Sequence, residues 1–165
     1  MNNTKKDLIY RWYKKSQQED KNIFDRFISL WISFNAYYSR NNLKLSEHEQ
    51  LDLFQNANKV IFSSVVKADN VEFLKFKEYI ATKNQNAGFI QNLRYKVGDE
   101  KNKKRYQNLE SLNEYLGCVY QIRCNLFHGG KDVADTQDET LVELALSTLS
   151  ILLKRVFEKE NILSL

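Results

Sequence analysis

The chain has 165 residues, of which 42% are hydrophobic and 13% aromatic, and its formal net charge is +4. This apolar content excludes an intrinsically disordered chain, and the length suffices for one domain with its own core, so we expect a single domain over residues 1–165. The mild positive charge permits a nucleic-acid partner without requiring one.

Hydrophobic periodicity and the absence of proline predict long, uninterrupted helices along most of the chain. The strongest pattern places aromatic and aliphatic residues on one face of residues 22–39. Ser46 and Glu49 form a capping-box motif that predicts a helix start. The predicted helices span residues 4–18, 22–39, 46–67, 71–83, 108–128 and 141–160. We therefore expect an all-α, up-and-down bundle of about five to six helices.

Residues 84–107 are the least regular and most basic part of the chain. Two interpretations are open: a loop that contacts RNA, or a solvated connection between helices. The aromatic residues within this segment are Tyr95 and Tyr106, and its basic residues are Arg94, Lys96, Lys101, Lys103, Lys104 and Arg105.

The cysteines and the apolar runs indicate a cellular compartment. Cys118 and Cys124 lie about 9 Å apart along one predicted helix, too far for a disulfide, so a cytoplasmic setting is expected. Residues 1–6 are not followed by an apolar run, which predicts that no signal peptide is present. The longest apolar stretch, residues 27–38, is too short to span a bilayer, so no membrane partner is expected.

Residues 121–131 hold one of the two histidines and two of the five glycines. Apolar residues before them recur at helical spacing, and the pair Gly129 and Gly130 predicts the helix stop. His128 would then lie in the last turn, where backbone carbonyls favour a cation. The other histidine, His48, is expected to be exposed and without a catalytic role.

Arg123 occupies an unusual place on this predicted helix. At about 100° per residue it lies among apolar residues, roughly opposite a polar strip. An unpaired buried charge is costly, so the guanidinium needs a partner. A carboxylate on another helix, a phosphate and the surface of a second subunit all remain open. The polar strip consists of Glu114, Gly117, Gln121, Asn125 and His128.

Arg123 and His128 are separated by four residues, and residues 122–131 resemble the R-x4-6-H region of prokaryotic members of the HEPN (higher eukaryotes and prokaryotes nucleotide-binding) superfamily. Residues 30–38, a Trp/Phe-Asn segment about 90 residues earlier, resemble the same family. One departure is Cys124, because members usually carry a polar residue, often Asn, directly after the arginine. Here Asn125 follows one position later.

The resemblance implies a helical homodimer with a shared, metal-independent site that cleaves RNA through its 2′-OH. His128 would transfer protons as general base or acid, and Arg123 would stabilise charge on the phosphoryl oxygens. No cofactor or metal is implied, and the sequence shows no Cys/His cluster with ligand spacing and no Gly-rich phosphate loop. The substrate-binding or supporting residues would be Asn35, Gln121, Asn125 and Lys131.

The resemblance also implies a cellular context, either antiviral defence or a toxin–antitoxin system with an antitoxin or inhibitor protein as partner. Members paired with nucleotidyltransferase antitoxins tend to carry tyrosine two residues after the histidine; Gly130 at this position disfavours that subgroup. Two other functions are open: a non-catalytic RNA- or nucleotide-binding module, and a structural protein that dimerises or regulates a partner.

Overall fold

The computed structural model describes residues 3–40, 44–67, 70–86, 89–92, 99–127 and 136–164. Within these ranges the chain forms an all-α bundle with one small β-ribbon, which confirms the predicted fold class. The six helices are α1 (Asn3–Ser16), α2 (Ile23–Tyr38), α3 (Glu47–Lys67), α4 (Val71–Asn86), α5 (Leu112–Phe127) and α6 (Thr136–Lys159). The ribbon consists of β1 (Phe89–Gln91) and β2 (Lys103–Arg105), with a 3-10 turn over Glu100–Asn102.

Helices α2 and α6 form the centre of the bundle. Asn22 caps α2 by accepting a hydrogen bond from Phe24 N at 2.8 Å, and the large apolar side chains of α2 are buried. Helix α6 packs against α2, α3, α4 and α5, while α1 packs against α2. The apolar face of α6 closes the core with Leu141, Leu149, Leu152, Leu153, Val156 and Phe157.

The segment predicted to be irregular contains regular structure. Strands β1 and β2 pair antiparallel, with Phe89 opposite Arg105. All three residues of β2 are exposed, so the strand lacks the alternation of apolar and polar residues that reveals a half-buried strand in a sequence. Residues 93–98 of this basic segment, Arg94 among them, lie outside the described ranges.

Two helix starts differ from prediction by more than one residue. Helix α6 begins at Thr136, five residues before the expected start at residue 141, because Asp138 and Glu139 in its first turn favour the positive end of the helix dipole. Helix α5 begins at Leu112 and not at residue 108, since Asn108 accepts a hydrogen bond from Ser111 N in a turn. Across the described ranges, no helix is both long enough and apolar enough to cross a membrane.

Candidate functional site

Arg123 lies one turn before the end of α5, half-buried against an aromatic cage formed by Trp31, Tyr120 and Phe127. Its guanidinium carbon lies 4.5 Å from the ring centroid of Phe127, 5.7 Å from Trp31 and 5.8 Å from Tyr120. A cation near aromatic faces is attracted by their quadrupoles, and Arg is the cation most often found there. The cage therefore fixes the position of the guanidinium without neutralising its charge.

The guanidinium of Arg123 has few hydrogen-bond partners in the described part of the chain. Its Nε is buried and has no hydrogen-bond partner there, and its Nη1 makes a weak contact of 3.9 Å with Cys124 Sγ. No carboxylate in the described ranges forms a salt bridge with Arg123. The sequence left three possible partners open for the guanidinium. A carboxylate partner is not found in the described ranges, so an anionic ligand and a second subunit remain.

A hydrogen-bond network centred on Glu47 joins α2, α3 and α5 beside the cage. Tyr38 donates its hydroxyl to Glu47 Oε1 at 2.7 Å, and Tyr120 donates to Glu47 Oε2 at 3.0 Å. Asn35 Nδ2 in turn donates to the Tyr38 hydroxyl at 2.6 Å. Because the ring of Tyr120 is one wall of the cage, the carboxylate of Glu47 positions that wall.

The two tyrosines of the network hold their protons. Burial raises the pKa of Tyr120 to about 12, and the Glu47 carboxylate that accepts its hydrogen bond acts in the same direction. Burial, followed by the hydrogen bond to Glu47, raises the pKa of Tyr38, while the Asn35 hydrogen bond and the Arg123 charge partly oppose this. Both hydroxyls therefore remain donors at neutral pH, and neither is suited to accept a proton there.

The structure places the predicted site residues in three groups. Arg123 and Asn35 are described, and Asn35 is linked to the wall of the cage through the Glu47 network. The proposed proton-transfer residue His128 and the supporting residue Lys131 lie outside the described ranges, so their roles stay predictions.

The third group is Gln121 and Asn125, whose side chains are buried at 4% and 2% exposure. Gln121 Nε2 donates to Asn125 Oδ1 at 2.8 Å. On an ideal helix both residues lie about 160° from Arg123, so the structure does not bring them to the guanidinium. In a single chain neither side chain is accessible to a substrate, and the pair instead satisfies its own polar atoms within the bundle.

The sequence reasoning missed Glu47, Tyr38 and the cage residues. Tyr120 stands three residues before Arg123, which is a spacing that brings side chains together on a helix, so this neighbour could have been found. Glu47 gave no such signal, since an acidic residue in the first turn of a helix is common for electrostatic reasons alone.

Within the described ranges, no group of three or more His, Cys, Asp or Glu side chains is arranged to hold a metal ion. No protein-family model, curated protein or solved structure matches the chain.

Proposed function

We propose that the chain is a metal-independent endoribonuclease of the HEPN type, acting as a homodimer. The observation that carries this proposal is Arg123, a half-buried cation held by an aromatic cage with no carboxylate partner in the described ranges. Such a guanidinium is available to an anion, and its planar donors fit phosphoryl oxygens in bidentate fashion.

RNA supplies its own nucleophile, so the protein needs only proton transfer and charge stabilisation. The 2′-oxygen attacks the adjacent phosphorus, a general base removes the 2′ proton, and the 5′-oxygen leaves with a proton. The products are a 2′,3′-cyclic phosphate and a 5′-hydroxyl. His128 is the proposed proton-transfer residue, because an imidazole titrates near neutral pH, and Arg123 stabilises the negative charge that develops on the phosphoryl oxygens.

A dimer is part of the proposal for a geometric reason. On an ideal helix Arg123 and His128 point about 140° apart, so one helix presents them poorly to a single phosphate. A twofold axis that brings two α5 helices together would supply both groups twice in one cleft. Phe127, whose ring centroid lies 4.5 Å from the Arg123 guanidinium carbon, is 56% exposed and would be covered by such an interface.

The test is cleavage of RNA in excess EDTA by the parent chain, Arg123→Ala and His128→Ala. Each variant is expected to lose at least about 100-fold in rate, because each lacks one chemical group of the transition state. Arg155→Ala is the matched control, since Arg155 is an exposed arginine on α6 paired with Glu158, and it should cleave as the parent does.

The cleavage products, and which variants lose cleavage, distinguish the ribonuclease from the other candidate functions. Cyclic phosphate ends from the parent, lost in both site variants, would support the proposal. Equal cleavage by parent and His128→Ala would contradict it. Salt-dependent RNA binding without cleavage would favour the non-catalytic binding module instead. A role in antiviral defence or in a toxin–antitoxin pair, with an antitoxin or inhibitor as partner, is proposed from the Arg123–His128 motif alone.

A further inference from the structure

A cavity of about 440 Å³ lies between α3, β2 and α5, next to the Glu47 network. Its volume is in the range of small-molecule and cofactor sites. Its lining combines aromatic and aliphatic side chains with amides and with charges of both signs. Neither a purely apolar ligand nor a bare inorganic anion matches such a mixed lining.

Two tyrosines give the cavity flat apolar surfaces. Tyr106 is 7% exposed and donates its hydroxyl to the carbonyl of Gly117 at 2.9 Å, which holds the ring against α5. A Cβ at Gly117 would lie 3.4 Å from Tyr106 Cε1, an ordinary van der Waals distance, so the ring packs directly on this part of α5. Tyr120 lies on the same wall, held by Glu47. Tyr120 is half-buried and can stack on a planar base whatever the identity of the base, while the buried ring of Tyr106 adds an apolar surface beside it.

Lys104 and Arg105, which line the cavity, belong to the exposed strand β2. Lys104 and Arg105 are both exposed, and neither forms a salt bridge with a carboxylate in the described ranges. Lys104 lies 5.9 Å from the ring centroid of Tyr106, so a cation and an aromatic surface are presented together. This pairing suits a ligand with a planar ring at one end and an anionic group at the other.

The two carboxylates of the lining are engaged by protein donors but keep further acceptor capacity. Glu47 accepts from Tyr38 and Tyr120, and Glu114 Oε2 accepts from the backbone N–H groups of Gln107 and Asn108 at 2.8 and 2.7 Å. A carboxylate oxygen has more than one lone pair, so either group can also accept from a ligand hydroxyl or amine. A sugar hydroxyl is such a donor.

We infer that this cavity binds a nucleoside monophosphate unit. The base lies against Tyr106 and Tyr120, and its edge meets the amides of Gln55 and Asn113, which also line the cavity. The phosphate lies at Lys104 and Arg105. The unit can be a free mononucleotide or one residue of an RNA strand, since both present the same chemistry.

The position of the cavity relates it to Arg123. The ring of Tyr120 borders the cavity and is also a wall of the cage, 5.8 Å from the Arg123 guanidinium. A nucleotide bound here would therefore flank the phosphate that Arg123 contacts. This placement on an RNA strand rests on the proposed function, whereas the binding of the nucleotide itself does not.

The first experiment is calorimetric titration of the full chain with AMP, GMP, CMP and UMP. Saturable binding at one site is expected, and Lys104→Ala/Arg105→Ala should weaken it about tenfold or more through loss of both phosphate contacts. The matched control is Lys154→Ala/Arg155→Ala, which removes an adjacent Lys-Arg pair from the exposed face of α6 and should change affinity less than twofold.

Several outcomes would overturn the inference. These are no binding of any mononucleotide at millimolar concentration, equal affinity for inorganic phosphate, and equal weakening by the two double variants. Gln55→Ala and Asn113→Ala serve as a second test, because they should alter the preference among the four bases while leaving the affinity for ribose 5-phosphate unchanged. An unaltered preference would contradict the predicted contact with the base edge.

The same titrations separate this inference from the proposed function and identify the source of the nucleotide. Mononucleotide binding by both the parent and His128→Ala supports nucleotide binding in the cavity even if RNA is not cleaved. RNA cleavage without mononucleotide binding would support the ribonuclease function and contradict nucleotide binding in the cavity. A dinucleoside phosphate that binds His128→Ala more tightly than the mononucleotide indicates an RNA strand. Equal affinities indicate a free nucleotide.

Discussion

At the scale of single residues, Arg123 is a stability cost within the described part of the chain. Its Nε is buried without an acceptor, and aromatic contacts offset only part of the desolvation. We expect Arg123→Met, which keeps the length and apolar contacts of the side chain, to leave the free energy of unfolding unchanged or to raise it by about 1 kcal/mol. Urea denaturation of parent and variant measures this.

The same variant should lose RNA cleavage, so stability and activity are expected to separate at this position. Loss of more than about 2 kcal/mol on Arg123→Met would indicate that the guanidinium has a structural partner, as buried paired charges do. That result would favour the structural interpretation of the chain over the nuclease.

The sequence alone predicted part of the environment of Arg123. The helical wheel identified Arg123 as a cation on an apolar stripe, since the wheel depends only on spacing. It could not show that Gln121 and Asn125 face the core, because amide side chains are usually exposed and the hydrogen bond that lets this pair be buried is not visible in the sequence. The role of Glu47 could not be predicted from the sequence, because the two tyrosines that donate hydrogen bonds to it lie on two other helices.

At the scale of elements, the start of α3 connects helix stability to the site. Glu49 N donates to Ser46 Oγ at 3.3 Å, and Ser46 N donates to Glu49 Oε2 at 2.8 Å, which confirms the predicted capping box. Glu47, in the same first turn, accepts the hydrogen bonds of both tyrosines of the network. Fraying of α3 would therefore loosen a wall of the aromatic cage.

We expect Ser46→Ala to lower the free energy of unfolding by about 1 kcal/mol, because it removes a capping acceptor. Ser64→Ala, an exposed change within the same helix, is the control and should cost less than about 0.5 kcal/mol. Equal losses in urea denaturation would contradict a specific cap. The Ser46 hydrogen bonds lower the pKa of Glu49, so their contribution is present above the pKa of an unfolded Glu and is lost as pH falls through the folded value.

The accuracy of the element predictions followed burial. Helix α2 was predicted within a residue of each end because one face is continuously apolar and buried. The ribbon was missed because β2 is exposed throughout and its pairing with β1 is a tertiary contact that local sequence does not encode.

At the scale of the whole molecule, buried tyrosines determine the response to alkaline pH. Burial raises the pKa of Tyr13, Tyr37 and Tyr120 to about 12, from an ordinary value of about 10. The unfolded chain then releases these protons first as pH rises, so the native state is destabilised above about pH 10 and the stabilising effect is complete below it. Burial also raises the pKa of Tyr38, Tyr106 and Tyr115.

We therefore expect a cooperative alkaline transition. Stability in urea should fall as the pH rises from about 9 to 12, because the unfolded chain releases protons that the buried Cys118 and tyrosine side chains of the native state retain. Phenolate absorbance and helical circular dichroism should change together. Gradual phenolate formation in a chain that keeps its helical signal would contradict this account.

The dimer is the second prediction at this scale. Phe127→Glu places a charge on the exposed ring position beside Arg123, so we expect it to yield monomers in light-scattering chromatography and to abolish RNA cleavage. Val60→Glu alters a side chain that is 83% exposed on α3, and should remain dimeric and active. Monomers of the parent chain at micromolar concentration that still cleave RNA would remove the need for a shared cleft.

The position of α6 in the chain order has a consequence for biosynthesis. This helix packs against α2, α3, α4 and α5, yet the ribosome makes it after all four. A nascent chain that ends before α6 lacks the surface on which α2 and α4 rest, so the bundle cannot close until translation has passed that helix. A nascent chain without α6 is therefore expected to lack the closed core that supports α5 and the aromatic cage around Arg123.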